Sequence, residues 1–313
     1  MVFVLFFHRF LKVTSIKIDL HVHTTFSDGT LTPREVVCAA QSVGLRAIAI
    51  TDHDTLRGND DAMDEGKKLG VEVVPGVEVS VDFPGGTMHV LGYYVDLNCD
   101  PFIKVLERIE NGRHERNMEI LDKLGRLGMP LDYDEIRAVA SEGPIGRPHI
   151  AQTMIRRNHV ASVREAFDKY LKKGAPAYAD RLRFSEEEAV ESICQAGGVA
   201  VLAHPGSLNC SSAESLAAIV ERAVSVGLQG LEAYYPSHSS EMQRICESLA
   251  EQYGLLLTGG TDFHGTIFPE NALGSGYGDL SVPYSLLEEM KATVAGNRRR
   301  GAGPGSPELR AET

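Results

Sequence analysis

Short apolar runs alternate with amphipathic stretches along most of the chain. Ile16–Leu20 reads as a strand and Leu45–Ile50 as the next. Between them Thr32-Pro33-Arg34-Glu35 opens a helix, with Thr32 as N-cap, Pro33 in the first turn and Glu35 completing a capping box. That helix runs to about Val43, and Leu56–Leu69 carries the next helical pattern. Val71–Val79 and Met88–Val95 read as strands joined at Pro84-Gly85-Gly86, which predicts a hairpin. Val199–Leu202, Gly230–Tyr234 and Leu255–Thr258 are further strands, each preceded by a helical segment. Seven strands with interleaved helices predict an α/β protein with a mostly parallel sheet or barrel.

The middle breaks this rhythm. From Pro101 to Arg183 the pattern is helical throughout, over Phe102–Leu127, Tyr133–Ala140, Pro148–Arg157 and Val163–Leu171. The expected organisation is a barrel over residues 16–100 and 184–296 with a helical insertion, a lid, over 101–183. Residues 1–15 read as an extension or a weak interfacial anchor, since their apolar run, Met1–Leu11, is too short to span a bilayer. Residues 297–313, rich in Gly, Pro and charge, read as a disordered tail.

Charge sharpens the division. The 313 residues carry 31 Lys+Arg and 43 Asp+Glu, a net charge of −12. The insertion holds 16 basic and 12 acidic residues, so the remainder holds 15 and 31. An acidic protein does not grip duplex DNA by bulk charge. A basic lid on an acidic body suits an anionic substrate, and a solvated helical face gives the same sign. Five cysteines without a C-x-x-C spacing point away from a disulfide framework and toward a reducing cytoplasm, and no stable membrane association is expected.

Chemistry collects at the strand ends. The first strand ends in Asp19-Leu20-His21-Val22-His23, and residues two apart on a strand face the same side. Asp28 follows in a Ser27-Asp28-Gly29 turn. The next strands lead into Thr51-Asp52-His53-Asp54 and Gly76-Val77-Glu78, and the strand after them presents His89. Ala203-His204-Pro205 and Gly260-Thr261-Asp262-Phe263-His264 close two more. Side chains at the C-terminal strand ends of a barrel converge on one site. Six histidines and three carboxylates suit two or three divalent cations, with ligands typical of Zn, Mn or Fe.

These segments resemble a known family. DLHVHTTFSDGT, AITDHDT, PGVEVS, HVLGYYV, VLAHPG and GTDFH look like the successive motifs of the PHP (polymerase and histidinol phosphatase) superfamily of metal-dependent phosphoesterases. Gly146–Ala151 (GRPHIA) and Leu231–Ser239 (LEAYYPSHS) resemble its 3′,5′-nucleoside bisphosphate phosphatases. The resemblance runs from about Ile16 to Pro283 and implies a distorted (β/α)7 barrel with a trinuclear site. His21, His23, Glu78 and Asp262 would bind one metal. Glu78 would bridge to a second, completed by His89 and His204. Asp28, His53 and His264 would hold the third. Mn2+ is the first choice, with Zn2+ or Fe2+ as alternatives.

The expected reaction is hydrolysis of a phosphomonoester of a small nucleotide, a 3′,5′-bisphosphate or 5′-nucleotide, by a metal-bridged hydroxide. Arg147 is the candidate phosphate contact, since a guanidinium matches phosphate oxygens bidentately. His238 could bind phosphate or protonate the leaving group. Asp52 and Asp54 read as groups supporting the ligands or capping a helix, and Gly259-Gly260 as backbone clearance. Alternatives are a 5′-3′ exoribonuclease trimming short RNA, a histidinol-phosphatase-like enzyme, and a non-catalytic binding module. The full set of nine residues weighs against the last.

Overall fold

A computed structural model describes residues 17–140, 145–180 and 183–301. The segment 1–15 and the chain after Gly301 lie outside the described residues. The first half runs β1 (Lys17–Val22), α1 (Pro33–Ser42), β2 (Ala47–Ile50), α2 (Asn59–Leu69), β3 (Glu72–Val81) and β4 (Met88–Tyr93). Four helices follow: α3 (Asp100–Arg126), α4 (Tyr133–Ala140), α5 (Arg147–Arg156) and the short α6 (Val163–Ala166), which passes into a π-helical turn over Phe167–Leu171. The chain then returns through α7 (Glu186–Gln195), β5 (Val199–Leu202), α8 (Ala213–Ser225), β6 (Gly230–Tyr234), α9 (Ser240–Tyr253) and β7 (Leu256–Gly259). It ends in β8 (Val282–Pro283) and α10 (Ser285–Gly301), so the helical backbone continues past Asn297, where the sequence pattern placed the start of a tail.

The strands lie in the order β7-β6-β5-β4-β3-β2-β1-β8, so the first seven follow chain order. Only β4 runs against its neighbours β3 and β5 within that series. The short β8 adds an antiparallel edge to β1. The ring closes at the mouth, where Phe263 bridges Val22, with His23 N–H donating to Phe263 O at 2.9 Å. The fold is a distorted α/β barrel of seven strands with one short extra strand.

Alternation along the strands sorts the core. In β2, Ala47 and Ala49 join an inner cluster with Ile18, Leu20, Leu91, Tyr93 and Val201. Ile48 and Ile50 face the other way, against Val36, Val37 and Ala40 of α1. Leu287, Met290 and Val294 of α10 pack into the inner cluster and stop one end of the barrel. The helices after β4 carry a core of their own, with Ile120, Leu124, Ile136, Ile150, Met154 and Leu171. Among the described residues no helix is long and apolar enough to cross a membrane.

One irregularity aims the site. The β1–β2 register shifts between Asp19 and Val22. Leu20 therefore belongs to the inner cluster, whereas Val22 belongs to the cluster under α1. A bulge of this kind re-aims the side chains that follow it, and here it turns His21 and His23 into the barrel mouth, both fully buried. Gly260 makes room for them: a Cβ there would lie 2.3 Å from His21 N and 2.4 Å from His21 Cβ. Gly260→Ala is expected to lower stability by about 1–3 kcal/mol through overpacking, read by urea unfolding, and to weaken divalent-metal binding by moving His21.

Candidate metal centre

The structure brings all nine sequence candidates to the barrel mouth. His21, His23, Glu78 and Asp262 form one group whose ligand atoms lie within 4.8 Å of one another. His23, Asp28, His53 and His264 form a second, and His53, Glu78 and His89 a third. His204 joins the third through Glu78, with Nε2 2.9 Å from Glu78 Oε1 and 3.3 Å from His89 Nδ1. The grouping differs from expectation in that His23 and His53 each belong to two sets.

The donor atoms themselves test whether cations fit. His21 Nε2, His23 Nε2, His53 Nδ1, Asp28 Oδ1, Glu78 Oε2 and Asp262 Oδ1 are buried and have no hydrogen-bond partner. A buried polar atom left unpaired costs free energy, so six in one place demand another partner. Their spacing is informative. His21 and His23 Nε2 lie 3.1–3.3 Å from Glu78 Oε2 and Asp262 Oδ1. Donors bonded at about 2.0–2.2 Å to one cation stand about 3–3.5 Å apart. The donor set, imidazole and carboxylate without thiolate, suits Zn, Mn or Fe.

The imidazoles are oriented from behind. His21 Nδ1–H donates to Glu232 Oε1 at 2.9 Å, and His264 Nδ1–H to Asp262 O at 2.8 Å. His204 Nδ1 pairs with Ser207 Oγ, whose hydroxyl donates to Thr87 O. His23 Nδ1 pairs with Ser27 Oγ, whose hydroxyl donates to Asp52. All four rings thereby present Nε2 inward, whereas His53 and His89 present Nδ1 to Glu78. Such outer partners fix ring tautomer and aim. Asp52 also accepts from Thr24 N–H and Oγ1, in keeping with a supporting role. Tyr235 OH donates to Asp262 Oδ2 at 2.9 Å. Asp54, His204 and Asp262 all take positive φ, 57°, 26° and 53°. For non-glycine residues that conformation stores strain, a mark of functional sites.

Glu232 is the residue that sequence reasoning missed. It is fully buried and also accepts His204 N–H at 2.7 Å. A lone acid within an otherwise apolar strand, Leu231-Glu232-Ala233, was the available signal, because a buried carboxylate requires partners.

Electrostatics follow from the crowding. Burial works against His23 carrying charge, yet its contacts with Asp262 and Glu78 outweigh this and hold it at about 10. His21 is likewise raised, its burial overcome by Glu232, Asp262 and Glu78. His53 goes the other way, pushed down to about 3 by burial despite Glu78 and Asp28. Although burial opposes it, Glu78 and Asp262 are held well below the usual carboxylate range by the surrounding imidazoles.

A cavity of about 690 Å³ opens beside Asp28, His53, His89 and His264. Its wall includes Arg113, Arg116, Arg147, Lys172, Lys173 and Arg183. Arg113 is held by Asp54, with Nη2 2.6 Å from Oδ2, while Asp54 also accepts Ser80 N–H and Oγ–H. Arg147 lines the cavity but is fixed between the rings of Phe167 and Tyr178, 5.7 Å from each centroid, and donates to Leu171 O. His238 lies in the loop after β6. Its Nδ1–H donates to Ala233 O and its Nε2 accepts Gly206 N–H, so its one proton sits on the nitrogen turned to the backbone. His149 also lines the cavity and takes Gly146 N–H on Nδ1, which puts its proton on Nε2.

Two outcomes are expected. Metals bind deprotonated imidazole, so loading must displace the protons that His21 and His23 retain. Affinity for Mn2+ should rise with pH from 7 toward about 10, the value that holds His23, with net proton release in calorimetry run in two buffers. A flat profile would count against His23 as a ligand. Glu232→Gln should lower metal affinity about 10–100-fold, measured by competition with a chromogenic chelator.

Comparison with known proteins places this geometry. Residues 19–178 match the PHP domain family. A 5′-3′ exoribonuclease of Haemophilus influenzae is 33% identical over 248 residues, 79% of this chain and 90% of its own length. A 3′,5′-nucleoside bisphosphate phosphatase of Chromobacterium violaceum is 34% identical over 252 residues, 79% of this chain and 87% of its own. A solved structure from Bifidobacterium adolescentis, assigned as a metal-dependent phosphoesterase, superposes with a TM-score of 0.77 at 28% identity, covering 88% of this chain and 96% of that one. With the matched segment spanning half the chain and relatives aligned over most of it, the chain belongs to the PHP domain family of metal-dependent phosphoesterases.

Proposed function

We propose that the protein hydrolyses the phosphomonoester of a small nucleotide, a 3′,5′-nucleoside bisphosphate or a 5′-nucleotide, with two or three divalent cations, Mn2+ first among them. The observation that carries this is the set of six unpartnered donor atoms beside a cavity walled by arginine and lysine. Bound there, divalent cations supply Lewis acidity, lower the pKa of water and neutralise phosphate charge.

The chain's own residues do the positioning. His21, His23, His53, His89, His204 and His264 with Asp28, Glu78 and Asp262 form the ligand set. Arg113, aimed by Asp54, offers its guanidinium to a phosphate oxygen. Arg147 is a second contact, its ring sandwich removing the entropy cost of ordering it. His149 donates Nε2–H to the bound phosphate as a neutral imidazole, a role its lowered pKa favours, since burial disfavours the charged ring. The helices over 101–183 act as the lid that brings these cations to the barrel. Five free thiols fit a reducing cytoplasm.

A second reading, a 5′-3′ exoribonuclease, is supported by the activity named for the H. influenzae relative. A phosphate-release screen of mononucleotides, bisphosphates and short oligoribonucleotides with Mn2+ separates the two. Preference for bisphosphates or 5′-nucleotides is expected, and preference for oligomers would replace the first reading with the second. His23→Ala and Asp262→Ala should each abolish phosphate release and lower bound metal by elemental analysis while far-UV circular dichroism stays unchanged. Full activity in either variant would sink the assignment.

A further inference from the structure

We infer that Phe268, with Ile267, is a stacking platform for the base of the substrate nucleotide; this rests on the nucleotide reading above. Few large apolar side chains are exposed among the described residues, and these two are adjacent, at 47% and 49%. Both line the cavity beside the metal centre, Ile267 closing the short helical turn Gly265–Ile267 that follows His264 and Phe268 coming directly after it. Phe268 meets the His264 ring edge-on, with centroids 5.9 Å apart and planes at 83°. That contact anchors the phenyl group without burying it.

Apolar side chains left in water forgo the free energy of burial, and beside a reaction centre they await a ligand surface. The rest of the wall shows which surface. Arg147, Lys172 and Arg183 line the same cavity, so its occupant joins an anionic part to a flat apolar part. A nucleotide has both, and about 690 Å³ falls within the usual range of small-molecule sites. Every base offers a π-face, so stacking on one ring tolerates all four. The platform therefore selects nucleotides over sugar phosphates while discriminating weakly among bases.

The chain contains no tryptophan, so Phe268→Trp places a single fluorophore at the platform. Its emission should be quenched saturably by AMP and left unmoved by ribose 5-phosphate or inorganic phosphate. In Phe268→Ala the ratio of kcat/KM for AMP over ribose 5-phosphate should fall about 10- to 100-fold, chiefly through KM, with Phe268→Leu intermediate. Equal losses on both substrates would show that Phe268 only supports His264, and would overturn the platform. So would unquenched emission in a variant that still hydrolyses AMP, and either result leaves the phosphatase reading standing. If the unmodified protein hydrolyses no mononucleotide, the phosphatase reading falls and the platform falls with it.

Discussion

One buried carboxylate, Glu78, meets five imidazoles. Its Oε2 faces His21, His23 and His53 at 3.0–3.3 Å, and its Oε1 faces His89 and His204 at 2.7 and 2.9 Å. These residues come from four different strands or the loops that follow them. Taking so many titratable rings and an acid out of water carries a large desolvation cost. The donor set suits a cage for divalent cations. Much of the surrounding architecture keeps this cage from collapsing into ordinary hydrogen bonds.

That support is mostly backbone. The bulge in β1 turns two histidines inward, and Asp19 holds it by accepting from Thr261 N–H, Thr261 Oγ1, Gly274 N–H and, at 3.3 Å, His21 N–H. The same carboxylate thereby joins β1 to the segment that leaves β7 and to the loop beyond it. Asn271 Nδ2 donates to the carbonyls of Thr261 and Asp262. This helps retain Asp262 in its positive-φ conformation. Strain at the site is opposed by hydrogen bonds behind it, where no substrate reaches.

Much of this was legible in the chain. Strand-end histidines at a two-residue spacing announce a shared target, and all nine candidates met there. The strands, the Pro84–Gly86 hairpin and the helices fell close to their patterns, because apolar period and turn chemistry are local. What escaped was non-local. The bulge at Asp19–Val22 exists only in a pairing register, so simple alternation cannot show it. Glu232 stood out only as a lone acid in an apolar strand, and its partners, two histidines, are non-local. His238 sits in the expected loop, but its ring is turned onto backbone partners. Phe268 carries no sequence pattern at all, since its meaning comes from the cavity.

The reversed strand β4 has a geometric corollary. Because it runs down the barrel, Met88 and His89 at its start stand level with the end of β3, and its own end lies at the far rim. The chain must climb back before it can cover the mouth, and α3 makes that climb. Its 27 residues span about 40 Å. Phe102, Leu106 and Ile109 pack on the barrel, and Ile120, Leu121 and Leu124 seed the separate helical core. Arg113 lies between the two sets and ties the shaft to Asp54. The helix is thus a mast whose length sets the height of the canopy. Adding or removing one turn, about 5.4 Å, would change the headroom over the barrel mouth while leaving the side chains gathered there where they are.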